Sequence, residues 1–210
     1  MKIFDLTHGI THGMGVFPGD PECVVESAHS YENGYFVSRI SMGTHTGTHV
    51  DAPAHKIKGA RSLTDLGLEA FIAPNTAAID CRGRQGEMDA AFIESCENEL
   101  KGCDGAVFVS GWSKKWGTPE FFEGFPGFSE DAAAALKRLG IRLVGVETPS
   151  VNCVRHESVH AALLREEIVV AEALRVPENL FGRFELYAAP LKLVGRDGSP
   201  VRAFALKRGQ

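Results

Sequence analysis

Cysteine is scarce and scattered in this sequence. The five cysteines, Cys23, Cys81, Cys96, Cys103 and Cys153, are odd in number and none forms a Cys-x-x-Cys pair. That disfavours a disulfide framework and a cysteine zinc cage, and it favours a reducing compartment. Long hydrophobic runs are missing. Nothing approaches the roughly 20 apolar residues of a membrane span, and the opening MKIFDLTHGITHG has no apolar stretch of the signal-peptide kind. Positive charge is not in excess: 22 Lys and Arg stand against 27 Asp and Glu, a net charge of −5, which leaves no broad basic surface for nucleic acid. Internal repeats and low-complexity tracts are absent too. These absences lead us to expect a cytoplasmic protein with no membrane or nucleic-acid partner, forming one domain over residues 1–210.

The patterning that is present reads as α/β. KIFDLTH, ECVVESA, YFVSRISM and NTAAIDC are short, rich in β-branched and aromatic residues, and set among Gly and Pro, as strands are. From residue 88 the chain alternates. Met88, Phe92, Cys96 and Leu100 recur every four residues, which predicts a helix ended by Gly102. GAVFVSGW reads as a buried strand. SEDAAAALKRLG reads as a helix with Ser129 as N-cap and Gly140 as terminator. IRLVGVE is the next strand, and strand-helix-strand order predicts parallel pairing. RFELYAAPLKLVG and SPVRAFALK read as two strands around an Asp-Gly turn. The expectation is a single β-rich domain of mixed sheet, with helices mainly in the second half.

The chemistry concentrates in HTGTHVDAPAH, residues 45–55, which holds three of the eight histidines. Gly43, Gly47, Pro53 and the interleaved Thr and Val residues make it a poor helix. In an extended chain, residues two apart point the same way, so His45, His49, Asp51 and His55 look to one side. A straight strand would still separate His45 from His55 by about 33 Å, while His49 and Asp51, about 7 Å apart, can share an ion. The segment must therefore bend, at Gly47 before His49 and at Pro53 after Asp51. Imidazole and carboxylate together are the ligands of Zn²⁺, Mn²⁺ or Fe²⁺. On this reading His45, His49 and Asp51 bind metal, and His55 is either a further ligand or the general base beside it.

The same stretch resembles the signature of the metal-dependent cyclase-like hydrolases, the family that includes the bacterial kynurenine formamidases. FPGDP (17–21), VGVETPSVN (144–152) and the closing YAAPLKLVGRDGSPVRAFA are similar to other parts of that family's pattern, so the likeness runs nearly end to end. The resemblance implies a swivelling β/β/α fold and two divalent ions per subunit, zinc first and manganese as the alternative. It implies that His45 and His49 bind one ion, that Asp51 bridges both, that His160 and Glu172 complete the site, and that His55 is the acid/base. It also implies a small amide substrate such as N-formylkynurenine, a place in tryptophan catabolism, and a dimer or tetramer.

His160 and Glu172 can be checked against chain geometry. One unbroken helix would hold them roughly 18 Å apart. EIVVAEAL alternates instead, with Ile168, Val170 and Glu172 on one strand face, so a helix breaking near Glu166 and a returning strand would bring them together. His156 competes with His160 for the same place. The departures from the pattern are Phe17, where formamidases carry Trp against the substrate, and Glu147 and Asn152, where they carry Asp. These point to altered substrate recognition. Trp112 and Trp116 could face an aromatic substrate or serve in packing. Two other classes remain open: a non-haem Fe(II) oxygenase built on His49, Asp51 and His160, and a non-catalytic metal-containing binding protein.

Overall fold

The apolar runs of the middle of the chain become four parallel strands. A computed structural model describes residues 1–84 and 86–208. Strands β1 (Lys2–Asp5), β2 (Val24–His29), β3 (Val37–Ser41), β4 (His49–Asp51) and β5 (Ile72–Asp80) come first. Helices α1 (Ala90–Ser95) and α2 (Glu97–Leu100), β6 (Gly105–Val109), α3 (Ala132–Arg138), β7 (Leu143–Val146), α4 (His156–Arg165) and β8 (Val169–Glu172) follow. The chain closes with β9 (Gly182–Tyr187), β10 (Gly198–Pro200) and β11 (Phe204–Lys207).

Nine strands form one mixed sheet in the order β1-β11-β9-β5-β6-β7-β8-β4-β10. β5 to β8 pair in parallel, and the outer pairs at both ends are antiparallel. β6, β7 and β8 are buried at every residue, which is why they read as unbroken apolar runs. Alternate residues feed two cores. Ile79, Phe108, Val144 and Val170 pack against Ile93, Leu136, Val159 and Leu163 of the helices. Val50, Val107, Leu143 and Ala171 face Phe4, Phe71 and Leu186 on the other side. This is the α/β, β-rich architecture that the patterning predicts, with every α-helix after residue 89. No described helix is long and apolar enough to cross a membrane.

Three local expectations are corrected. The helix expected over 88–102 is two short helices, because Asp89 caps the first by accepting from the Phe92 amide and Cys96 leaves helical geometry between them. Met88, Cys96 and Leu100 are buried as expected, joined by Ile93, while Phe92 lies half-buried under the Arg84 guanidinium. Ser129 is not the N-cap of α3: the helix starts at Ala132, Asp131 holds that position, and the Ser129 hydroxyl donates to the Asp131 carboxylate. β9 and β11 do pair, but Asp197-Gly198 is not the turn between them. The pairing runs on to a bridge between Pro190 and Val201, and Pro190 has no N–H to extend the ladder further. Gly198 opens β10, which pairs with β4. The β2–β3 hairpin stands apart from the main sheet and exposes Tyr35, Phe36, Val37 and Ile40.

One close approach seals the loop before α3. A Cβ on Gly127 would sit 2.3 Å from the Val151 carbonyl oxygen and 2.5 Å from the Asn152 Cα, both backbone atoms that cannot swing aside. Gly127→Ala is expected to cost about 3 kcal/mol or more of stability. A urea titration checks this, with a lowered midpoint and an unchanged slope expected.

Candidate metal centre

β4 sits between β8 and β10, and its register sets the site. His49 lies opposite Glu172, and Asp51 opposite both Val170 and Gly198. His49 and Asp51 share one face while Val50 enters the opposite core. Gly47, with φ of 67°, bends the chain before the strand, and a 3₁₀ turn over Pro53–His55 swings His55 back. The bends fall where the spacing requires them.

Three of the candidate imidazoles, His45, His49 and His160, converge on Asp51 and Glu172. The Asp51 Oδ1 lies 2.7 Å from His45 Nδ1 and 3.4 Å from His49 Nε2. Its Oδ2 lies 3.2 Å from His160 Nε2. Glu172 reaches His160 Nε2 at 2.9 Å and His49 Nε2 at 3.3 Å. His160 arrives on α4, which ends at Arg165; Glu167 then turns with φ of 59° and leads the chain back into β8. The helix-break-strand path expected from EIVVAEAL is therefore present. His49 Nδ1 donates to the Gly47 carbonyl and His160 Nδ1 to the His156 carbonyl, each at 2.8 Å, which leaves both Nε2 atoms facing the carboxylates.

His49, Asp51, His160 and Glu172 are all buried. Burial alone would push the His160 ring down, but the Glu172 and Asp51 carboxylates override it and carry it up to about 10. Burial likewise opposes ionisation of Asp51, yet the His45 charge and the His160 hydrogen bond hold its carboxyl well below the usual range. Positive charge is thus what this cluster is built to receive.

The fit to a metal rests on two orphaned atoms. His49 Nε2 and Asp51 Oδ1 are buried and make no hydrogen bond. Oδ1 is close to His45 Nδ1 but not aligned with it as donor and acceptor. Buried polar atoms left without a partner beside other nitrogen and oxygen donors are a setting that a bound cation would satisfy. His45, His49 and Asp51 could hold one divalent ion, and the nitrogen and oxygen set suits Zn²⁺ or Mn²⁺. Asp51, His160 and Glu172 offer donors for another. A two-histidine, one-carboxylate iron site would leave His45 and Glu172 without a task.

The cluster opens into a cavity of about 270 Å³ lined in part by Phe17, His55, Ser150 and His156. His55 stands over the cluster, its ring 4.0 Å from that of His45 and 5.4 Å from that of His160. Burial pushes its pKa down to about 4. Phe17 meets the His156 ring edge-on at 5.5 Å, so His156 is a wall of the cavity and not a member of the cluster.

Other sequence expectations are redirected. Trp112 donates to the Phe121 carbonyl and Trp116 stacks on His8 at 4.0 Å; both pack, and neither lines the cavity that holds Phe17 and His55. Glu147 is buried and accepts from the Gly111 amide and the Ser113 hydroxyl, each at 2.5 Å. Asn152 donates to the Phe128 carbonyl and accepts from the Val154 and Arg155 amides. Those two departures anchor loops, and neither side chain lines the cavity.

Sequence reasoning missed Asp197. Its Oδ2 lies 2.7 Å from His45 Nε2 and 3.7 Å from His55 Nδ1. The Asp-Gly pair carries the signal of a turn, and that signal hid it.

Known proteins resemble this chain along its whole length. The cyclase family model matches residues 4–152. A kynurenine formamidase of Bacillus mycoides (strain KBAB4) is 30% identical over 207 residues, covering 95% of this chain and 94% of that one. Isatin hydrolase A from Labrenzia aggregata, solved with benzyl benzoate, superposes with a TM-score of 0.83 at 26% identity, covering 97% of this chain and 93% of that one. An isatin hydrolase bound to the product analogue thioisatinate gives a TM-score of 0.89 at 22% identity, over 99% of this chain and 93% of that one, a likeness of fold.

Proposed function

The chain belongs to the cyclase family, and from that premise we propose that it is a metal-dependent hydrolase that cleaves the C–N bond of a small aromatic amide. An aryl formamide such as N-formylkynurenine is the first substrate and a cyclic amide the next, with a lactone, cleaved at its acyl C–O bond, as the ester counterpart. The observation that carries this reading is the pair of unbonded buried atoms, His49 Nε2 and Asp51 Oδ1, at the floor of an open cavity.

His45, His49 and Asp51 would hold one ion, and Asp51, His160 and Glu172 would hold a second, zinc in preference to manganese. Ions bound there supply a water acidic enough to ionise near neutral pH and a positive charge against the carbonyl oxygen under attack. His55 is uncharged at neutral pH, so it can take the proton of the attacking water and return it to the leaving nitrogen as the C–N bond breaks. Phe17 offers its ring to the aryl group. Asp20, Lys56 and Glu157 also line the cavity, with Lys56 Nζ 3.5 Å from Glu157 Oε1, so a substrate carrying a charged tail would meet polar groups there. N-formylkynurenine as the substrate would place the reaction in tryptophan catabolism. Five free cysteines suit a cytoplasmic setting. The exposed apolar β2–β3 arm suits burial by a second copy of this chain in a homodimer.

Metal quantification alongside assays on N-formylkynurenine, isatin and simple lactones tests this reading. Two ions per chain are expected, and chelation should stop turnover and lower the melting temperature. An ion present at 1,000 times its Kd adds about 4 kcal/mol, and each kcal/mol moves a chain of this size by about 2–4 °C, so a fall on the order of 10 °C is expected. A chelated protein that melts and turns over as before would refute it.

A further inference from the structure

We propose that Asp197 is a positioning residue of the metal centre: it holds the Nε2 hydrogen of His45 and so turns Nδ1 toward Asp51, while Gly198 leaves the room this ring orientation requires. The inference rests on the metal reading above. His45 is caught between two carboxylates, with Nδ1 2.7 Å from Asp51 Oδ1 and Nε2 2.7 Å from Asp197 Oδ2. A neutral imidazole has one N–H to donate. The Asp197 contact is aligned as a hydrogen bond and the Asp51 contact is not. The hydrogen therefore belongs on Nε2, and the lone pair of Nδ1 faces the cluster.

The other two imidazoles reach the same state by a different route. His49 and His160 give their Nδ1 hydrogens to backbone carbonyls and present Nε2. His45 is reversed, presenting Nδ1 and held from behind by a carboxylate. A carboxylate is the stronger acceptor and makes the ligand more basic. Asp197 is itself held: its carbonyl accepts from the Ala52 amide at 2.8 Å, and the Thr44 hydroxyl bonds its carboxylate at 3.3 Å. It lies on the far side of the His45 ring from Asp51 and is partly exposed, which suits support and not ligation.

Gly198 completes the arrangement. It stands opposite Asp51 in the β4–β10 ladder, and a Cβ there would lie 2.6 Å from His45 Cε1 and 3.0 Å from Nε2. The Asp-Gly pair thus works on one ring, the aspartate bonding it and the glycine making way for it.

Zinc titration of the metal-free protein against a chelating dye tests this, with Asp197→Ala and the isosteric Asp197→Asn beside wild type. Loss of an outer partner to a metal-binding histidine typically weakens affinity by about 10–100-fold. That loss is expected for Asp197→Ala. Asp197→Asn, which keeps a neutral acceptor, should fall between it and wild type. The number of ions bound stays the same, and the metal-free variants melt close to wild type. Nitrogen-15 spectra of the zinc-loaded protein should show His45 protonated at Nε2 in wild type and as a tautomer mixture in Asp197→Ala. Wild-type affinity and tautomer in Asp197→Ala would overturn the proposal. So would the loss of one whole ion, which would make Asp197 a ligand. A wild-type protein that takes up no zinc would overturn the metal reading itself, and this inference with it.

Discussion

Asp51→Ala should yield a folded protein that retains neither ion and has no measurable turnover. Asp51 reaches both halves of the cluster through separate oxygens, with Oδ1 toward His45 and His49 and Oδ2 toward His160. Its removal would take a donor from each ion and a buried negative charge from the floor of the cavity. The expected loss of rate exceeds the ~10²–10⁴-fold that a single acid–base group supplies. The metal-free protein is also destabilised, because His45, His49 and His160 lose a buried carboxylate partner; breaking a buried pair costs about 3–5 kcal/mol. Asp51→Asn keeps the shape and separates the two effects: it should lose metal and activity while melting closer to wild type. Elemental analysis with the amide assay decides the matter, and full occupancy of both ions in either variant would remove Asp51 from the shared position.

His55→Ala should show the complementary result, near-normal metal content with kcat lowered by about 10²–10⁴-fold and KM little changed. The ring stands beside the cluster and not inside it, 4.0 Å from His45 by centroid, and its nearest carboxylate outside the cluster is Asp197 at 3.7 Å from Nδ1. Burial keeps it neutral at pH 7, which is the state that can accept a proton. His55 nitrogen also lies within reach of Asp51 and His160, which gives a sharp alternative. If His55→Ala loses an ion, the residue is a ligand; if it retains the wild-type rate, the residue is neither ligand nor base.

Much of this was legible in the chain before any coordinates, and the reasons are local. The parallel strands announce themselves because strands buried on both faces must be apolar throughout, as Gly105–Val109 and Leu143–Val146 are. His45, His49 and Asp51 are readable because a period of two, with Gly47 and Pro53 as bends, leaves few other geometries. His160 and Glu172 follow from the family resemblance, and a charge on the otherwise apolar strand face of Ile168 and Val170 agrees with it. What could not be read depends on contacts distant in sequence. Ser129 has the residue type of a cap, but its hydroxyl is taken by Asp131. Glu147 and Asn152 stand where the family pattern has other acids, yet a substitution does not reveal which way its side chain turns, and both turn into loop backbone. Asp197 looked like half of a turn because its partner, His45, lies 152 residues earlier in the chain.

The pairing of His49 with Glu172 and of Asp51 with Gly198 ties cation capture to correct zipping of the strands. A slip of one residue along β4 would bury the acidic side chain among Val107, Leu143 and Ala171 and turn Val50 outward. An ion held by His49, Asp51 and Glu172 would in turn favour the aligned register over the slipped one. The β10 partner of Asp51 comes from residues 198–200, so contacts between distant parts of the chain set this alignment.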